Sequence, residues 1–310
     1  MSSCADQDLN SQQEHLSSAS YDLRITNLAR FINKKITNYE PVILSNAKNP
    51  EKYMDPSVSP QDDNALQEKQ TKRSTARDVD TTFLDVGAGN GLFLKFFKAK
   101  GFKVAGYELE QKNIDNMKKD PVLKSVSIAQ ADITNLRGSE NFDMVMASDV
   151  IEHIKDDVLA IKNLWSFVKP GGLMIITVPA HSYLYGKRDE KWGHHRRYDQ
   201  KVLLERIEEA INTTPPSKGG ELLKQKNLLL TKEESPKGEV VFVTFWNFVG
   251  FFVYGLFEKV LHKPINENMR YSNSLVNRTM RNILDKILRL EEMIGGLPLG
   301  LTLIVGVRKK

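Results

Sequence analysis

The stretch Thr82-Phe83-Leu84-Asp85-Val86-Gly87-Ala88-Gly89-Asn90-Gly91-Leu92-Phe93 constrains the fold more than any other part of this chain. An apolar strand ends in an acid, three glycines follow at alternate positions, and a helix begins. Glycine permits the backbone angles of such a turn and leaves room for a ligand against the main chain. The helix start behind the loop adds oriented N–H groups. A dinucleotide fingerprint needs glycine at its sixth position, and Leu92 stands there. Asp85 beside the loop suits a cofactor carrying positive charge, such as the sulfonium and amino groups of S-adenosylmethionine. It suits a pyrophosphate poorly.

The strands that follow support the loop. Phe102–Glu108 reads as a second strand ending in an acid, with Glu108 lying 21 residues after Gly87. An acid there can accept both ribose hydroxyl protons. Ser125–Ile133 reads as a third strand, with Asp132 placed to meet an adenine amino group. Phe142–Asp149 is a fourth, Lys169–Gly172 a turn, and Leu173–Pro179 a fifth. Their polar C-terminal ends gather on one edge of a parallel sheet, where open α/β folds bind ligands.

Residues from about 80 to 212 resemble a class I S-adenosylmethionine-dependent methyltransferase. The matching motifs are Asp85–Gly91, Glu108, Ala131-Asp132-Ile133, Ser148–His153 and Lys169-Pro170-Gly171-Gly172. The resemblance implies a Rossmann-like, seven-stranded, mostly parallel sheet with helices on both faces and an antiparallel last strand. It implies S-adenosylmethionine as cofactor. Asp85, Gly87, Ala88, Gly89, Asn90 and Gly91 are expected at its methionine end, and Glu108 with Leu109 at the ribose. Asp132 and Ile133 are expected at the adenine, with Ser148 and Asp149 lining the floor.

Composition sets outer bounds. The chain has 310 residues, 40% of them hydrophobic, enough for one large α/β domain with additions. A net charge of +5 permits an anionic partner without arguing for one. The lone cysteine, Cys4, excludes a disulfide framework and a cysteine metal site. Met1–Gln13 lacks the pattern of a secretory signal, which points to the cytoplasm. Residues 1–20 read as a disordered tail, 21–37 as an amphipathic helix and 38–80 as a polar insertion. The methyltransferase core is expected over 81–212, a second polar insertion over 213–238, and strands and helices completing the sheet over 239–310. Those last elements are a strand at Glu239–Phe245, a helix at Ile283–Ile294 and a strand at Leu301–Val307.

Val240–Phe257 carries no charge over 18 residues, the minimal length of a membrane span. Its composition favours a buried strand followed by a partly buried aromatic helix. Its phenylalanines, with Lys259 and Lys263 behind them, leave peripheral membrane contact open. Thr244, Asn247 and two glycines count against a span.

Methyl transfer needs alignment of nucleophile, methyl carbon and sulfur, and often removal of a proton. Two clusters follow strands four and five. His153, beside Glu152, is one candidate base; the plainer alternative is a pair that packs on the sheet and lines the cofactor pocket. Some small-RNA and quinone-pathway methyltransferases hold magnesium on a similar Glu-x-x-Glu-His. Here Asp149 stands first and no distant second ligand stands out, so no metal is assigned. The other cluster is Asp189–Tyr198. In it His194 is the competing base, and Arg196 with Arg197 are candidates to clamp a carboxylate or phosphate. A solvated basic turn before a helix at Gln200–Ala210 is the plainer reading. The Gly-His-x-Arg-Arg-Tyr run resembles a bacterial subgroup found with cell-envelope sugar enzymes. His181, Tyr183 and Tyr185 either line the acceptor pocket or merely form a turn.

The expected activity is in-line methyl transfer to a small-molecule, lipid or envelope-sugar acceptor. A quinone or phenol at a membrane surface is the alternative, as is a cofactor-binding scaffold without turnover. Structured RNA is disfavoured as acceptor, and the sequence does not set the oligomeric state. The absence of an Asn/Asp-Pro-Pro-aromatic motif after strand four disfavours adenine methylation in DNA, and Cys4 alone excludes covalent cytosine C5 chemistry.

Overall fold

The computed structural model describes residues 19–39, 81–212, 237–261 and 275–310. The expected tail lies outside them up to residue 18, and the two insertions lie outside them over 40–80 and 213–236. Helix α1 spans Ala19–Tyr39. The glycine-loop unit follows as β1 (Thr82–Val86) and α2 (Leu92–Ala99). Next come β2 (Lys103–Glu108), α3 (Gln111–Lys119), β3 (Ser127–Gln130) and β4 (Phe142–Ser148). Helix α4 (Asp157–Phe167) leads into β5 (Val168–Pro179), a short α5 (Lys187–Lys191) and α6 (Gln200–Asn212). After the gap stand β6 (Gly238–Trp246), α7 (Phe248–Gly255), α8 (Leu275–Ile294) and β7 (Thr302–Lys309).

The seven strands form one sheet in the order β3-β2-β1-β4-β5-β7-β6. β1 pairs in parallel with β2 and β4, and β4 in parallel with β5. β7 is antiparallel to both its neighbours, β5 and β6. The strand order reverses at β1, and this switch point opens the crevice in which doubly wound sheets bind ligands.

Period-two alternation splits the core into two layers. Phe83, Met144, Met146, Ile175 and Ile304 point to the face covered by α1, α2, α3 and α8. Leu84, Val145, Ala147, Ile176 and Val305 point to the face covered by α4 and α6. On the first face, Leu28, Ile32 and Ile36 of α1 are wholly buried beside Phe97. Among the described residues no helix is long and apolar enough to cross a membrane.

Two boundaries differ from the sequence expectation for physical reasons. Lys169–Gly172 is not a turn between elements but an outward bulge inside β5: Phe142 pairs with Val168, and Met144 already pairs with Leu173. Gly171 takes φ +77° there. β3 stops at Gln130, short of Asp132, because the Asp132 carboxylate accepts the Thr134 N–H at 2.8 Å and turns the chain.

Candidate active site

The loop after β1 is stitched to β2. The Gly87 and Ala88 N–H groups donate to the Tyr107 carbonyl at 2.8 and 3.0 Å. Gly87 takes φ +79°, and a Cβ on it would lie 2.4 Å from Val150 Cγ2, so only glycine fits. Gly89 takes φ +55° with no atom within 4 Å of a Cβ position, so its outer side is open. Glu108 is nearly buried; its carboxylate accepts Gly89 N–H at 2.6 Å and Glu110 N–H at 3.0 Å. One acid therefore fixes both the loop and the start of α3.

A cavity of about 690 Å³ runs from this loop across the C-terminal ends of the strands. Gly87, Gly89, Glu108, Leu109, Asp132, Ile133, Ser148 and Asp149 all line it. Asp85, Ala88, Asn90 and Gly91 do not: they shape the loop from behind. Ser148 Oγ lies 2.8 Å from Thr177 Oγ1, and Asp149, at φ +54°, pairs with Arg24 of α1 at 2.7 Å. Asp85 is 1% exposed and its Oδ2 has no partner. Burial, then the Glu108 charge, pushes its carboxyl up to about 8.

The far end of the cavity is built from the Asp189–Tyr198 segment folded back on the turn after β4. His195 N–H donates to the Glu152 carbonyl at 2.8 Å, and Tyr198 OH donates to Asp157 at 2.9 Å. His153 and His194 both line the cavity, their rings edge to face at 4.7 Å between centroids. Burial, then the neighbouring His194, lowers the His153 imidazole to about 4, although its edge is open to the cavity. His194 Nδ1 lies 2.9 Å from Asp189 Oδ1. Arg197 Nε contacts both oxygens of the same carboxylate at 2.8 and 2.9 Å. Burial would raise Asp189, but hydrogen bonds from His194 and Arg197 outweigh it and hold it at about 2.

Of the two arginines expected to form a clamp, only Arg197 reaches the cavity. Arg197 lines the cavity but spends its Nε on Asp189. Arg196 points away from the cavity, pairing with buried Asp157 at 2.7 Å and the Lys155 carbonyl at 2.8 Å. His181 stacks on Phe245 at 5.2 Å and Tyr183 is exposed; neither lines the cavity, and Tyr185 donates to the His194 carbonyl at 2.9 Å.

Glu152 is the group whose weight the sequence did not reveal. It is 0% exposed, and neither carboxylate oxygen has a hydrogen-bond partner. Burial, then Asp149, pushes it well above the usual carboxylate range. Ligand-type atoms of Glu152, His153 and His194 lie within 4.8 Å of one another. His194, the third member of this group of donor atoms, lies 41 residues beyond His153 in the chain. Arg24 and Tyr254 also reach the cavity wall; no local pattern announced either, since one lies in α1 and the other in α7.

A sheet of this order with a glycine loop at its switch point defines a class I S-adenosylmethionine-dependent methyltransferase fold. Residues 59–247 match the family described as a methyltransferase domain, and the chain belongs to that family. It is 34% identical over 96 residues to a ubiquinone biosynthesis O-methyltransferase of Rickettsia canadensis (strain McKiel), covering 30% of this chain and 41% of the relative. It is 33% identical over 106 residues to the (S)-coclaurine N-methyltransferase of Papaver somniferum, covering 33% of this chain and 30% of the relative. The chain thus matches less than half the length of these curated relatives. A solved S-adenosylmethionine dependent methyltransferase from Mesorhizobium loti overlays with a TM-score of 0.46 at 13% identity, over 74% of this chain and 91% of that one.

Proposed function

We propose that the protein transfers a methyl group from S-adenosylmethionine to a small, partly apolar acceptor. One observation carries the reading: a single cavity is lined at one end by Gly87, Gly89 and Glu108 and at the other by His153 and His194. The residues fit the cofactor. Gly89 leaves open space above the loop, and Asp85 is a buried acid with an unpartnered oxygen. Gly87 and Gly89 hold the methionine end, with Asp85, Ala88, Asn90 and Gly91 shaping the loop behind them; Glu108 holds the ribose, and Asp132 with Ile133 the adenine. Of the two histidines, His194 is the better placed, because its Nδ1 is held by Asp189 at 2.9 Å, whereas a group lowered to about 4, as His153 is, holds a proton poorly. Release of S-adenosylhomocysteine in a screen of phenols, lipids and envelope sugars tests the reading. His194→Gln is expected to lower turnover roughly 10²-fold while sparing cofactor binding. Unchanged turnover transfers the role to His153 or removes the need for a base.

The two unpartnered Glu152 oxygens favour a second reading of the same end. Glu152, His153 and His194 are a donor set fit for a divalent cation, which when bound would polarise an acceptor oxygen. Dialysis against a chelator separates the two: unchanged turnover retains the metal-free base, whereas loss restored by added cation installs the metal.

The acceptor side also supports peripheral membrane contact. Phe252, Leu256, Phe257, Val260 and Leu261 are all exposed on α7, the wider helical segment Leu256–Val260 that continues it and the cap that ends it, while Tyr254 of α7 faces the cavity. An amphipathic acceptor could then enter from a lipid surface, as the quinone or phenol alternative requires. Co-sedimentation with anionic liposomes that is lost in Phe252→Asp/Val260→Asp is the expected result; no co-sedimentation of the parent protein ends the idea.

A further inference from the structure

We infer that Asp189 is a positioning residue: it fixes His194 with its proton on Nδ1 and so leaves the Nε2 lone pair facing the cavity. The inference rests on the proposed role of His194 and deepens it. Both readings of that role, proton acceptor or cation ligand, need a bare Nε2.

Asp189 lies in the five-residue helix α5 and is 0% exposed. Four groups converge on its carboxylate: His194 Nδ1 at 2.9 Å, Arg197 Nε at 2.8 Å, the Gly186 N–H at 3.1 Å and Tyr254 OH at 3.2 Å. A guanidinium keeps its proton at any ordinary pH, so a carboxylate facing it is ionised and can only accept. The Nδ1 opposite Asp189 must therefore be the protonated nitrogen. In the neutral ring Nε2 is then the free acceptor. The imidazole has little freedom to turn. The His194 N–H donates to the Asp189 carbonyl at 2.9 Å, and Tyr185 OH donates to the His194 carbonyl at 2.9 Å. Trp192 packs edge-on against the ring at 5.8 Å between centroids. Tyr254 brings α7 to the same carboxylate, so the acceptor wall and the imidazole share one anchor.

The plain alternative is that Asp189 is only the buried counter-charge of Arg197. Two measurements separate them. The first needs no change at Asp189: imidazole nitrogen–proton correlation spectra of the full chain, with the His194 signal assigned by its loss in His194→Gln. A proton on Nδ1 is expected, and a proton on Nε2 overturns the inference. The second is a double-mutant cycle of Asp189→Asn and His194→Gln, with cell extract as acceptor source and S-adenosylhomocysteine as readout. Each single variant is expected to lose roughly 10²-fold in kcat, with S-adenosylmethionine affinity retained. The double variant should lose no more than either, because Asp189 acts through His194. Additive losses, or an unchanged kcat in Asp189→Asn, overturn the role of Asp189 alone. Full turnover in His194→Gln overturns the reading beneath it as well. Asp189→Asn strips Arg197 of its buried partner; if that variant does not fold, the spectrum of the parent protein decides.

Discussion

Asp85 shows how a single buried acid couples the cofactor loop to pH. Its carboxyl is raised to about 8 in the folded protein, whereas an unfolded chain ionises it near pH 4, that is about 4. Between those values the folded state binds the extra proton, so this group's contribution falls as pH rises. Asp85→Asn removes that term. Urea unfolding at pH 5 and pH 8 is expected to show a smaller loss of stability with rising pH in the variant than in the parent. An identical loss contradicts the burial argument. The glycines give a second contrast. Gly87→Ala combines positive φ with a 2.4 Å approach to Val150, and it should lower the melting temperature. Gly89→Ala meets no atom, so its cost is the αL strain of about 1–2 kcal/mol. Its larger effect should be on S-adenosylmethionine affinity, because its Cβ enters the space reserved for the ligand. A Gly89→Ala variant that binds normally would place the cofactor elsewhere.

Elements were legible where their periodicity was local. β1, β2 and β4 carry apolar runs that end in polar groups, and the sheet places them within a residue or two of expectation. The β5 bulge was not legible, because Pro170-Gly171-Gly172 has turn chemistry and only pairing with β4 reveals that the ladder resumes on both sides of it. The role of Asp189 was hidden for a related reason: its partners sit 5, 8 and 65 residues away, two where its own segment folds back on it and one on α7. Likewise the arginine pair looked like a clamp until Asp157 and Asp189 appeared beside it. The helix α1 was readable from its apolar stripe, yet nothing in that stripe said that Arg24 would reach Asp149. Its hold on the sheet is apolar. Ile32→Ala, at a wholly buried position, should cost about 2–5 kcal/mol by denaturant unfolding. Arg24→Met breaks a part-exposed ion pair, and about 1 kcal/mol or less is expected there. The reverse ranking would mean that α1 is held by charge.

Across the whole molecule, the switch point of the sheet sorts the chemistry. Glu108 and Asp132 line the cavity where β2 and β3 end, and His153 and His194 line it beyond β4 and β5, beside Asp149 and Glu152. That division is what a cationic cofactor facing a proton-accepting site requires. The lining at the loop end of the cavity was legible because Gly87, Gly89, Glu108 and Asp132 follow strand ends at short range. The acceptor half depends on contacts between segments far apart in the chain. The central claim is that the glycine loop and Glu108 hold S-adenosylmethionine, and calorimetric titration tests it most directly. The full chain would be titrated with S-adenosylmethionine, with NADH as control and Glu108→Ala, checked for folding by its melting curve, as the second protein. Micromolar binding to the parent, absent with NADH and lost in the folded variant, is the predicted result. No binding to a folded parent protein, or equal binding to the variant, would contradict the account.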